Sequence, residues 1–321
     1  MKNLKFLEIV PNIDHKPTPH NPNEENPALY YLANLSKSGR RVQKNALNLV
    51  SGLLKPGSDY LTFPWNELEY KHVLPLKALL EDKYSTATVN RILSAVRGTI
   101  KQAWMLEQIP ANQYIRIKQV ENIKKYEFPA GRYISYEEIE SLLNVCISSH
   151  NPGGDRDAAI ISCMVAGGGL RRSEIVNLDM SDYDPVSGQI TITGKGNKKR
   201  TSYILNGAAD ALADWLALRG DHAGPLFIPI NKGGVMTIRR MTGQAIYAML
   251  QKRAEQAGVE NISPHDLRRT FISNMLDAGV DLATISQIVG HEDVNTTAIY
   301  DRRPEQAKKK ALQLLSLPYK K

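Results

Sequence analysis

At 321 residues, 42% hydrophobic and 23% charged, the chain can bury the cores of two ordinary domains and does not have a disordered composition. Its apolar uncharged stretch, Ala158 to Leu170, is too short to span a bilayer, Glu8 and Pro11 break the run a signal peptide needs, and Cys146 and Cys163 are too few for a disulfide framework or a metal cluster. A formal net charge of +8 fits a polyanionic partner or a solvated basic surface, and the expected compartment is the cytoplasm.

Residues 1–26 hold four prolines and no sustained periodicity, and read as a flexible leader. Helical signals then run over Ala28 to Leu35, Gly39 to Leu54 before Pro56-Gly57, a segment around Glu67 to Lys83, and Ser85 to Gln108 before Pro110. Together, residues 27–111 predict a small all-helical domain. In the last of its helices Val89, Ile92, Leu93, Val96, Ile100 and Trp104 repeat at helical spacing, which turns Arg91, Arg97 and Lys101 to other faces. Residues 112–131 mix lysines with weak periodicity, end in Pro129-Ala130-Gly131, and read as a linker.

A second domain is predicted over 132–303. Ser135-Tyr-Glu-Glu138 is a capping box that opens a helix through Val145, and a helix from Asp155 leads into Gly167-Gly-Gly169. Ile190 to Thr193 and Thr201 to Leu205 read as two strands joined by a turn carrying Lys195, Lys198, Lys199 and Arg200. Leu226 to Ile230 is non-helical, and further helices start near Ala208, Thr242, Pro264, Leu282 and Asn295. A last amphipathic segment covers Glu305 to Leu317, and residues 301–321 carry seven Lys/Arg against Asp301 and Glu305. The whole is mainly α with a small antiparallel β-sheet, an α+β chain of two domains.

Within the second domain stand, in order, Gly-Gly-Leu-Arg171-Arg-Ser-Glu174, Gly194-Lys195-Gly-Asn-Lys, His265-Asp-Leu-Arg268-Arg-Thr-Phe, Gly290-His291 and Tyr300. Singly each is weak: an arginine is ordinarily a surface or ion-pair residue, a basic hairpin turn is ordinarily solvated, and the chain has fourteen tyrosines. As an ordered set over roughly residues 130–302, they make the chain resemble tyrosine recombinases of the phage integrase and Xer type. The helical first domain is similar to that family's core-binding, SAM-like domain.

The resemblance implies a site-specific recombinase that cuts and rejoins DNA through a covalent 3′-phosphotyrosine intermediate, with Tyr300 as nucleophile. Arg171 and Arg268 match the two arginines that meet charge on the non-bridging phosphate oxygens, a task suited to planar guanidinium forks. The adjacent Arg172 and Arg269 fall off the motif. Lys195 matches the hairpin lysine that protonates the leaving 5′-oxygen, and Lys198 on the same turn would hold a phosphate. His265 matches a residue that assists proton removal from the tyrosine, and His291 one that donates to the scissile phosphate. Glu174 matches an acidic position whose role is to hold a guanidinium in place.

Resemblance also implies a two-domain, C-shaped clamp on double-stranded DNA with inverted-repeat core sites. Candidate DNA contacts are Arg40, Arg41, Lys44, Arg91, Arg97, Lys101, Lys198, Lys199 and Arg200. Residues 304–321 would exchange between protomers in a homo-oligomeric, tetrameric synapse, in which an accessory DNA-bending protein or a partner recombinase could take part. The setting would be cytoplasmic and nucleoid-associated, with no membrane, cofactor or metal required; tasks open to such an enzyme are integration and excision of a mobile element or resolution of DNA. Two rivals stay open: relaxation of the type IB topoisomerase kind, and a DNA-binding accessory protein that does not cut.

Overall fold

The computed structural model describes residues 25–124, 131–194, 197–231, 233–300 and residue 312. The leader through residue 24, the turn residue Lys195 and the tail from residue 301, apart from Leu312, lie outside the described residues. The chain divides into two compact units at residues 127 and 128.

The first unit is helical: α1 (Pro27–Ala33), α2 (Lys37–Leu54), a 3₁₀ turn at Trp65–Glu67, α3 (Tyr70–Glu81), α4 (Thr86–Met105) and α5 (Ala111–Lys118). Asn26 and Ser36 cap α1 and α2 through their side chains. The stripe Val89, Ile92, Leu93, Val96 and Ile100 of α4 is buried against Leu47, Val50, Trp65 and Leu76. α5 departs from the linker expected over 112–131. Ile117 and Val120 enter the first unit's core, and Asn90 and Arg97 of α4 strap down the chain that follows. With so few apolar anchors, and side-chain hydrogen bonds for the rest, the segment has little periodicity to betray it.

The second unit holds α6 (Tyr136–Ile147), α7 (Pro152–Val165), α8 (Arg172–Asn177), the strands β1 (Gln189–Thr193) and β2 (Lys199–Tyr203), α9 (Gly207–Arg219), α10 (Gly243–Ala257), α11 (Pro264–Asp277), α12 (Leu282–Val289) and α13 (Val294–Ala298). Its capping box is as expected: Ser135 N–H donates to Glu138 Oε2 at 2.9 Å, and Ser135 Oγ accepts from Glu138 N–H. α7 is the central element, with Ala158 to Met164 wholly buried beneath neighbours that include α6, α9 and α11. This burial explains the long uncharged run, which packs inside protein and not in lipid.

β1 and β2 pair antiparallel with Ile190 opposite Ser202 and Ile192 opposite Arg200. Cross-strand partners share a face, so Arg200 and Ser202 stand on the face of the buried isoleucines. A smaller cluster of Phe271, Ile272 and Leu276 from α11 with Ile285 and Val289 from α12 takes in the ring of Tyr300. No helix among the described residues is long and apolar enough to cross a membrane.

Candidate active site

The site is assembled on the C-terminal end of α12. The last carbonyls of a helix have no partner within it and carry the negative end of its dipole, so cations gather there. Here three arginines from three elements do so. Arg200 Nε of β2 donates to the Ile288 carbonyl at 2.8 Å, Arg268 Nη2 of α11 to the Val289 carbonyl at 2.7 Å, and Arg171 Nη2, at the start of α8, to the Gly290 carbonyl at 3.2 Å. Gly290 ends α12 with φ +67°, and a Cβ there would lie 3.0 Å from Arg200 Cδ. Glycine answers both the conformation and the crowding.

Glu174 binds two of these arginines. It is 3% exposed, its two carboxylate oxygens each accept from Arg200 at 2.9 Å, and Oε1 also accepts from Arg171 at 2.8 Å. Burial alone would push its carboxyl up, but the bonds from Arg200 and Arg171 outweigh that and hold its pKa below the usual value. Arg268 is 2% exposed, and its other terminal nitrogen donates to the Gly169 carbonyl at 2.6 Å. Burial, with the like charge of Arg171 beside it, pushes the Arg268 pKa down to about 9. A buried cation with cationic neighbours is a place for an anion.

Ser263 and Asp266 close the N-terminus of α11 with a bond of 2.8 Å from the Ser263 amide, which sets His265 in the first turn. From there His265 Nε2 lies 2.9 Å from the Tyr300 hydroxyl. The residue as a whole is exposed, but partial burial of its ring and then the charge of Arg268 hold its pKa below 6.5. His291 follows Gly290, lies nearly parallel to the Tyr300 ring at 6.3 Å between centroids, and places Nδ1 2.8 Å from Thr297 Oγ. Burial and the charges of Arg268 and Arg171 push its pKa down to about 4. Tyr300 is 6% exposed; burial pushes its phenol up, while Arg268, Arg269 and Arg171 pull it back.

Of the expected residues, Arg171, Glu174, His265, Arg268, His291 and Tyr300 come together, and Lys195 lies outside the described residues. Arg171, Glu174, Arg200 and His291 line one open cavity of about 920 Å³, shared with Lys198 and Lys199. Lys198 is exposed and pairs with Glu292 at 2.6 Å. Arg200, expected as a DNA contact, spends its guanidinium on Glu174 and Ile288 and is half-buried. A signal for this was in the chain: Arg200, Ser202 and the buried Ile204 share one parity along the strand.

In the first unit Arg41, Arg91 and Lys101 are exposed, and Lys44 lies over the Tyr60 ring at 5.0 Å. Arg40 donates to the Leu35 and Ala33 carbonyls, and Arg97 to Val120 and Asn122. Those two guanidiniums therefore also hold local structure. Arg269, set aside by the motif, is buried with its guanidinium 5.7 Å from the Tyr300 ring centre. No sequence pattern marked it, because α11 is buried continuously from Asp266 to Ile272 and shows no polar face there.

The family described as phage integrase matches residues 132–306. Among curated proteins, the tyrosine recombinase XerC of Natranaerobius thermophilus is 31% identical over 250 residues, covering 74% of this chain and 79% of its own length. XerD of Rickettsia bellii is also 31% identical, covering 73% of this chain and 79% of its own. Among solved structures, the Tn1549 transposon integrase in complex with transposon right end DNA superposes with a TM-score of 0.66 at 14% identity, covering 91% of this chain and 100% of that one. The XerH site-specific recombinase bound to palindromic difH does so with a TM-score of 0.62 at 21% identity, covering 91% of this chain and 89% of that one. These last two likenesses are of fold.

Proposed function

The chain belongs to the phage integrase family and is a tyrosine recombinase, an enzyme that cleaves and rejoins DNA; from that premise we propose that it recombines specific sites by attack of Tyr300 on a backbone phosphate. The observation that carries the assignment is the Tyr300 hydroxyl 2.9 Å from His265 Nε2, beside the anion-seeking pair Arg171 and Arg268.

Tyrosine is a weak nucleophile while protonated, so its proton must leave as the bond to phosphorus forms. His265, whose pKa is lowered from 6.5 so that it is neutral near pH 7, is placed to accept it on Nε2. Arg171 and Arg268 meet the charge that builds on the non-bridging oxygens. His291 is neutral near pH 7; in the tautomer that accepts the Thr297 hydroxyl on Nδ1, the ring carries its proton on Nε2 and offers that N–H to the phosphate. The bond to the 5′-oxygen breaks, and Lys195, which falls between β1 and β2 in the sequence, gives that oxygen a proton. A 3′-phosphotyrosyl enzyme and a free 5′-hydroxyl result. The 5′-hydroxyl of a partner strand reverses the step and releases Tyr300.

Residues 27–120 and 132–303 serve as core-binding and catalytic domains that clamp a duplex bearing inverted repeats. Residues 304–321 dock on a neighbouring protomer in a tetrameric synapse, at the nucleoid. The first test is to incubate the protein with fragmented DNA from its source, denature it with detergent and sequence whatever remains covalently attached. DNA at one or a few inverted-repeat sites, lost in Tyr300→Phe, is the expected result. No adduct from the unaltered protein would overturn the assignment in favour of a non-cleaving DNA-binding protein.

A further inference from the structure

Arg269 has no part in the chemistry above, yet it is 2% exposed and directed at the nucleophile's ring, 5.7 Å from its centre. It reaches in the other direction as well, where its Nη1 donates to the Gly131 carbonyl at 2.8 Å. Gly131 opens the described part of the second unit, and the residues after it are pinned to the same helix. The Arg132 amide donates to Asp266 Oδ1 at 2.8 Å and the Ile134 amide to Thr270 Oγ at 2.9 Å, while the Arg132 guanidinium holds the Glu260 carbonyl. Gly131 has φ +118°, and a Cβ there would lie 2.3 Å from Asp266 Oδ1, so nothing larger lets the chain approach this closely.

We infer that Arg269 is a positioning residue for Tyr300, holding the ring by a cation–π contact and itself held by the Gly131 carbonyl, so that residues 131–134 form part of the nucleophile's support. The inference rests on Tyr300 being the nucleophile. A guanidinium packed on an aromatic face fixes the plane of the ring without touching the hydroxyl, which leaves the hydroxyl free for His265. Its charge also favours the phenolate that forms as attack proceeds. Among the described residues, the other charged or titratable groups about the ring are His265 and Arg268 from the same helix, Arg171 and His291. Among the cations, Arg171 and Arg268 are committed to the phosphate in the proposed chemistry. Arg269 is buried beside the ring, where its charge stays when DNA arrives.

The test uses the full chain and a synthetic duplex carrying the captured site, nicked so that the cleaved strand diffuses away. Arg269→Met is expected to bind the duplex as the unaltered protein does, to form the tyrosyl adduct roughly tenfold more slowly, and to need a higher pH to reach half its maximal rate. Arg269→Lys, which keeps the charge without the planar fork, is expected to recover part of the rate and most of the pH profile. An unaltered rate and pH midpoint in Arg269→Met would overturn the inference. Should circular dichroism show Arg269→Met unfolded, Arg269→Lys decides alone: a rate equal to the unaltered protein's overturns the inference, and a several-fold loss supports it. Absence of an adduct from the unaltered protein would instead remove the nucleophile itself, so the two failures are distinguishable.

Discussion

In the proposed chemistry His265 must be neutral to take a proton, and its surroundings favour that form: partial burial and the charge of Arg268 lower its pKa from 6.5. A base with a lowered pKa stays competent at neutral pH and is lost only as the pH falls through the lowered value. Initial rates of adduct formation should therefore be flat on the acid side of neutrality until below 6.5, then decline, and the decline should disappear in His265→Gln at a uniformly low rate. Glu174 permits a stability measurement at the same scale. Glu174→Ala leaves Arg200 half-buried against the Ile288 carbonyl with its carboxylate partner gone, which should cost on the order of 3–5 kcal/mol in thermal or denaturant unfolding. Loss of DNA cleavage with unchanged stability would mean that Glu174 acts on the substrate directly.

Among elements, the end of α12 and the glycine run before Arg171 decide where the cations lie. Gly169 has φ +60° and a Cβ added to it would lie 2.6 Å from Phe271 Cδ1, while its carbonyl receives Arg268. Gly169→Ala is thus expected to displace that carbonyl, destabilise the second unit by about 1–3 kcal/mol and slow cleavage, as melting and adduct formation would report together. Much of this was legible beforehand: the helix starts read at Ser135, Thr242 and Pro264 located α6, α10 and α11, and the ordered motifs named six residues that the fold brings together. What sequence hid was of two kinds. α5 and the six-residue α8 are too short for a periodic signal, and the partners of Arg200 and Arg269, namely Glu174 and Gly131, are 26 and 138 residues away in the chain.

For the whole molecule, binding and cleavage should separate. Exposed cations such as Arg41, Arg91 and Lys101 are expected to supply salt-dependent affinity, so that replacing any of them by alanine lowers the slope of log affinity against log salt by about one and leaves the cleaved site unchanged. Arginines carry the phosphate charge in the proposed chemistry, so cleavage should persist in a chelating buffer, and metal dependence would require a different mechanism. Removing residues 304–321 is expected to spare DNA binding and end recombination; unchanged recombination would reject their role in the synapse.

Tyr300 rests against His265 of its own chain, with its ring in the cluster made by α11 and α12. Genetically, the proposed chemistry then expects each polypeptide to supply its own nucleophile, base and arginines. Tyr300→Phe and Arg268→Ala belong to one complementation group: mixing the two inactive proteins on DNA should restore no cleavage, because neither can lend the other its missing residue.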